Sequence, residues 1–266
     1  MLGAIIGDVC GSIYEFESDK IKTFPFFQEG CRATDDSMMT MAVGCALVSS
    51  DYHNKDDFQE KLCRYMREIG MAHPNAGYGY KFYHWLMDKK KGPYNSFGNG
   101  SAMRVSPVAW IAKTLEEAET LAKWSAEVTH NHEEGIKGAQ AISACIFLAR
   151  EGKSKEEIRK YIEDNYYTLN FTLDEIRPSY KFNVTCQGSV PQGIMCFLES
   201  TDFEDAVRNA ISLGGDGDTI GAMAGAIAEA YYGIPDHLAE EVFDYIDEDL
   251  IDYYNEYAEE IYKGEY

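Results

Sequence analysis

No two of the seven cysteines in this chain, at positions 10, 31, 45, 63, 145, 186 and 196, form a CxxC pair. An odd, scattered set argues against a disulfide framework and a cysteine zinc site, and fits reduced, buried thiols. Long apolar runs are also missing: the two best, Met38–Val48 and Ile220–Ala228, are too short to span a bilayer. The opening Gly3-Ala4-Ile5-Ile6-Gly7-Asp8 has no basic region and no cleavage pattern. A soluble, cytoplasmic protein with no membrane partner is therefore expected. Positive charge is scarce, with 24 Lys and Arg against 45 Asp and Glu, a net charge of −21. That field repels phosphate backbones, so nucleic-acid binding is not expected, although metal ions can still hold a small anionic ligand locally. Strand signals are few and no βαβ alternation is present, which argues against a parallel sheet. A nucleotide P-loop is missing because no Gly-Lys-Ser/Thr follows the glycines at 214–217. An EF-hand is missing too, since Ile220 occupies the fifth loop position and no glutamate closes the loop.

What is present is helical periodicity. Segment 2–17 carries apolar residues at 2, 5, 6, 9, 13 and 16 and small residues at 3, 7 and 11, a surface that lets another backbone come close. Helices are also predicted over 36–50, 56–69, 115–128, 134–151, 154–164, 202–212, 218–231 and 236–262. Start signals stand at Asp35 or Asp36, Thr114, Ser154, Thr201, Asp218 and Pro235, and glycines follow helix ends at 152 and 233. Segment 166–186 reads as a short extended excursion, and the tyrosine-rich tail 240–266 as an amphipathic helix with a solvated acidic face. The expectation is one all-α domain over 1–266, with a hydrophobic fraction of 45% that can build a sizeable core.

Several clusters carry polar chemistry on this frame. In Gly7-Asp8-Val9-Cys10-Gly11-Ser12-Ile13-Tyr14-Glu15, a continuous helix puts Asp8, Gly11, Ser12 and Glu15 on one face. Buried carboxylates there need a cation or several donors; the plain alternative is an exposed polar stripe. Thr34-Asp35-Asp36-Ser37 opens a helix, where paired aspartates also serve as caps and dipole partners. Gly214-Gly215-Asp216-Gly217-Asp218-Thr219 opens another, and its glycines let carboxylates, a hydroxyl and carbonyls turn toward one point. Oxygen ligands of this kind suit magnesium, manganese or calcium. The glycines of Phe97-Gly98-Asn99-Gly100-Ser101-Ala102-Met103-Arg104 either bare N–H groups for phosphate oxygens or form a simple turn. Thr129-His130-Asn131-His132 reads as a zinc pair lacking a third ligand, as a helix cap, or as part of a pocket. Jointly, the acidic clusters could supply the roughly five or six oxygens that two hard cations want.

In this order, the segments at 7–16, 34–39, 97–108, 129–139 and 214–233 resemble the ADP-ribosylglycohydrolases. That family includes dinitrogenase reductase-activating glycohydrolase and hydrolases of ADP-ribosyl-arginine and ADP-ribosyl-serine. The resemblance implies a compact single-domain orthogonal helical bundle with a binuclear Mg2+ or Mn2+ cleft. By position, Thr34, Asp35, Asp36, Asp216, Asp218 and Thr219 would be the metal ligands, with Asp8 behind them. Glu15 or the metal-held Asp36 would act as base; Asn99, Gly100, Ser101 and His130 would meet the ADP-ribose, and Ser189 would help wall the pocket. Ser37 stands where the family often has threonine and keeps the hydroxyl. The implied reaction is hydrolysis of the α-glycosidic bond between ADP-ribose and an arginine or serine side chain, or a small conjugate. The rival readings are a catalytically weak ADP-ribose-binding module and another Mg-dependent nucleotide hydrolase. A monomer is expected.

Overall fold

Glycine at every fourth position of the first helix fixes the centre of the architecture. The computed structural model describes residues 1–15 and 20–261. Its helices are α1 (Leu2–Gly11), α2 (Asp35–Ser49), α3 (Lys55–Ala72), α4 (Tyr80–Met87), α5 (Gly100–Met103), α6 (Ser106–Ile111), α7 (Leu115–Glu127) and α8 (Glu133–Arg150). They continue as α9 (Lys155–Asn165), α10 (Leu173–Ile176), α11 (Cys186–Leu198), α12 (Phe203–Leu213), α13 (Gly217–Tyr232), α14 (Asp236–Glu241) and α15 (Glu248–Ile261), with a 3-10 turn at Val242–Tyr245. Among the described residues the only bridge pairing is Gly98 with Thr185, so the all-α expectation holds.

α1 and α13 run antiparallel in backbone contact. A β-carbon on Gly3 would lie 2.4 Å from the Gly225 carbonyl oxygen, and one on Gly11 would lie 2.5 Å from the Asp218 α-carbon. Every residue of α1 is buried, as is α13 from Gly217 to Glu229. A helix apolar on all sides belongs inside, and α8, α11 and α12 complete the casing around α13. One apolar cluster joins Ile5 and Val9 of α1 to Leu250 and Tyr257 of α15. No described helix is long and apolar enough to cross a membrane.

Local signals explain most boundaries. Thr114 caps α7 by accepting from the Glu117 N–H, and Ser154 forms a capping box with Glu157 on α9. Gly233 ends α13 at φ +75°. The caps of α12 and α13 fall on Asp202 and Asp216 rather than Thr201 and Asp218, and Thr34 rather than an aspartate precedes α2. The first helix is shorter than expected. It stops at Gly11, and Ser12 turns back, its hydroxyl donating to the Val9 carbonyl at 2.9 Å and accepting from the Arg32 N–H at 3.1 Å. Phe16 and Glu17, the last two residues of that expected helix, lie outside the described residues. The expected 236–262 helix is broken into α14, the 3-10 turn and α15, and its last residue also lies outside them. The expected ranges lack α4, α5, α6, α10 and α11; in α11, Gly188, Pro191 and Gly193 obscure the helical pattern and burial on several faces leaves no polar period to read.

Candidate metal centre and cavity

The close approach of α1 to α13 brings the C-terminal end of one helix to the N-terminal end of the other. The N-terminus of α2 meets them there. Two helix N-termini, with positive dipole ends, thus face the same carboxylates.

Asp8 anchors the arrangement from α1. It is fully buried and accepts from the Thr34 N–H at 2.9 Å, the Thr34 hydroxyl at 2.5 Å, the Ser37 N–H at 3.0 Å and the Ser37 hydroxyl. Thr34 gives its hydroxyl proton to Asp8 and accepts no cap bond from α2, so its oxygen lone pairs stay free for another partner. Asp36 is 2% exposed. One of its oxygens accepts from the Thr219 hydroxyl at 3.3 Å, while Oδ1 has no hydrogen-bond partner. Asp216 accepts from the Asn99 side-chain N–H at 2.6 Å. Asp218 accepts from the Thr219 N–H at 2.8 Å. Oxygens of Asp8, Asp36 and Asp218 lie within 4.8 Å of one another, and those of Glu15, Asp216 and Asp218 do likewise, so Asp218 is common to both groups.

The electrostatics are those of crowded, buried negative charge. Burial and the charges of Asp216 and Asp8 push Glu15 up to about 7, against a small pull from Arg32. Burial pushes Asp216 up to about 6, with the Asn99 hydrogen bond opposing it. Asp35, Asp36 and Asp218 are held well above the usual carboxylate range, first by burial and then by their acidic neighbours. Among the described residues no lysine, arginine or histidine forms an ion pair with any of these groups. Such a cluster has to take up protons or cations. An orphaned carboxylate oxygen among hard oxygen donors fits a divalent cation such as Mg2+ or Mn2+.

The carboxylates floor a cavity of about 470 Å³, within the range of small-molecule sites. Glu15, Asp35, Asp36, Asp216, Asp218 and Thr219 line it, as do Asn99, Gly100 and His130. Glu15 reaches it from a bend after α1, not from a helical face. Gly77, at φ +107°, leaves room for Asp35: a β-carbon there would stand 3.1 Å from Oδ1. Ser101 and Ser189 do not line the cavity. Both are buried, and their hydroxyls donate to the carbonyls of Gly135 at 2.7 Å and Thr185 at 2.9 Å. Two histidines of one motif take different roles. His132 caps α8 by accepting from the Glu134 N–H at 3.1 Å, while His130 faces the cavity. Sequence reasoning missed Tyr94 and Arg104 on the wall and Tyr80, Lys81, Phe182 and Val184 elsewhere in the lining. Arg104 ends a motif already singled out and Phe182 and Val184 lie in the segment read as extended, but Tyr80, Lys81 and Tyr94 carried no local signal.

A family model described as ADP-ribosylglycohydrolase matches residues 1–265. The human protein named ADP-ribosylhydrolase ARH3 is 25% identical, covering 88% of this chain and 84% of its own length. A protein of Pseudomonas putida named ADP-ribosylarginine hydrolase Tri1 is 27% identical, over 88% of this chain and 70% of its own. A solved structure titled "ADP-ribosylglycohydrolase-related protein complex" superposes with a TM-score of 0.67 at 21% identity, over 98% of this chain and 96% of that one. At that identity the likeness speaks for the fold alone.

Proposed function

Because this chain belongs to the ADP-ribosylglycohydrolase family, we propose that it hydrolyses the α-glycosidic bond joining ADP-ribose to an arginine or serine side chain, or to a small conjugate, with two divalent cations at the carboxylate cluster. It is a glycohydrolase, and relatives named for ADP-ribose hydrolysis align along most of its length. The observation that carries the metal assignment is the buried Asp36 Oδ1, unpartnered among acidic neighbours.

Thr34, Asp35, Asp36, Asp216, Asp218 and Thr219 would hold two Mg2+ or Mn2+ ions. When bound, such ions supply Lewis acidity and a water of lowered pKa. Glu15, held near neutrality by its surroundings, accepts the proton of the attacking water, a contribution of roughly 10²–10⁴-fold. Asp36, which accepts from the Thr219 hydroxyl, would share that role as a ligand of the cations. Asp8 keeps Thr34 and Ser37 in register, and Asn99 fixes Asp216. As the side chain departs, positive charge develops on the ribose, and the surrounding carboxylates stabilise it. Asn99, Gly100 and His130 hold the ADP-ribose against the wall.

The test is incubation with Mg2+ and defined ADP-ribosyl-arginine and ADP-ribosyl-serine peptides. Free ADP-ribose appearing from one of them supports the reading and names the linkage. Binding without release indicates a recognition module instead, and release of inorganic phosphate indicates a phosphoesterase.

A further inference from the structure

One cation on the cavity wall is buried without an acidic partner. Arg104 is 1% exposed, its Nε has no hydrogen-bond partner, and no carboxylate pairs with it among the described residues. Its guanidinium donates to the Ser125 carbonyl at 3.1 Å and to the Thr129 hydroxyl at 2.9 Å. The same hydroxyl lies 2.7 Å from His130 Nδ1. Thr129 is fully buried, so every hydrogen-bonding site on its oxygen has to be met by these neighbours.

The direction of each bond then follows from counting protons. Arginine can only donate, so Thr129 Oγ1 accepts from Arg104. The Thr129 proton needs an acceptor, and His130 Nδ1 is the one within reach. Were Nδ1 protonated, Thr129 would face two donors and its own proton would be stranded in the interior, a cost of the unsatisfied-donor kind. A doubly protonated imidazolium fails in the same way and also sits beside the arginine charge. Burial and Arg104 accordingly hold the His130 pKa well below its usual value. The hydrogen is left on Nε2. That atom has no protein partner among the described residues, and it abuts two glycines: a β-carbon at Gly100 would lie 3.2 Å from it, and one at Gly98 3.5 Å.

We propose that Arg104 and Thr129 are positioning residues that lock His130 as the neutral Nε2–H tautomer, presented to the cavity as a fixed donor for the anionic oxygens of the diphosphate. The assignment of the donor's target rests on the function proposed above, whereas the tautomer itself does not.

The experiment is long-range ¹H–¹⁵N NMR of the ¹⁵N-labelled full chain at neutral pH, assigned with a His130→Gln variant, together with titration of free ADP-ribose in the presence of Mg2+. The expected spectrum has a bare Nδ1 and a protonated Nε2 at His130. Thr129→Val, which keeps the shape and loses the hydroxyl, should change this pattern and weaken ADP-ribose binding about tenfold; Thr129→Ser should restore both. A wild-type His130 with its hydrogen on Nδ1, or a Thr129→Val spectrum unchanged at His130, overturns the proposal. The wild-type spectrum decides the matter even if the valine variant does not fold. The expected tautomer in a protein that binds no ADP-ribose would support the lock and count against the cavity's proposed ligand.

Discussion

Gly7 and Gly221 meet backbone to backbone: a β-carbon on Gly7 would lie 2.0 Å from the Gly221 carbonyl oxygen, and one on Gly221 would lie 2.6 Å from that of Gly7. No flexible side chain is there to yield, so a methyl group at Gly7 must part the two helices. Gly7→Ala should lower stability by about 3 kcal/mol in denaturant unfolding. It should also weaken metal binding, because α1 carries Asp8 and α13 carries Asp218. A normal unfolding midpoint for this variant would contradict the packing described.

The carboxylate cluster ties stability to pH with an unusual sign. Folding raises Glu15 from 4.5 to about 7 and Asp216 from 3.8 to about 6. The folded chain thus binds these protons more tightly than the unfolded one. Their contribution is fully present below the unfolded values and is lost as pH rises through about 6 to 7. In excess chelator, the Tm should fall from about pH 4 to about pH 7, and saturating Mg2+ should abolish most of that fall. A chelated protein whose Tm climbs across this window would show that the cluster is not strained by its own charge.

Asp36→Asn separates stability from activity. The substitution puts a neutral amide in place of a carboxyl whose ionisation burial and Asp218 already oppose. Without metal the variant should melt above the wild type. With Mg2+ it should gain less from the ion and lose turnover by at least about 100-fold. Differential scanning calorimetry with and without Mg2+, beside a product assay, reads all three quantities.

Glu15→Gln isolates the base. Glu15 has to be deprotonated to accept a proton, so the wild-type rate should fall as pH drops below about 7, and bound cations should move that limb lower. The glutamine variant should lose about 10²–10⁴-fold in kcat and lose the limb itself. An unchanged acid limb in the variant would assign the base to another group, with Asp36 next to be tested.

Much of the helical frame was legible because its signals are short-range. Ser154 with Glu157, Thr114 with Glu117, and Gly233 at the end of α13 are decided within a few residues, and sequence shows those residues directly. The small residues at 3, 7 and 11 announced a close helix partner, though not which one. The breaks were harder. Gly11 ends α1 where the apolar pattern runs on, because Ser12 finds its partners at Val9 and Arg32.

The sequence by itself determined an α-helical chain, strongly acidic, with aspartates gathered at helix starts and glycines that permit contact. Only the tertiary structure decided that Asp8, Asp36 and Asp218 share one point, that Glu15 enters from a bend, and that the hydroxyls of Ser101 and Ser189 turn to carbonyls while His130 lines the cavity. The reason is range. Caps and periodicity act between neighbours in the chain, whereas the ionisation of a carboxylate or the tautomer of an imidazole depends on groups brought together only when distant helices pack.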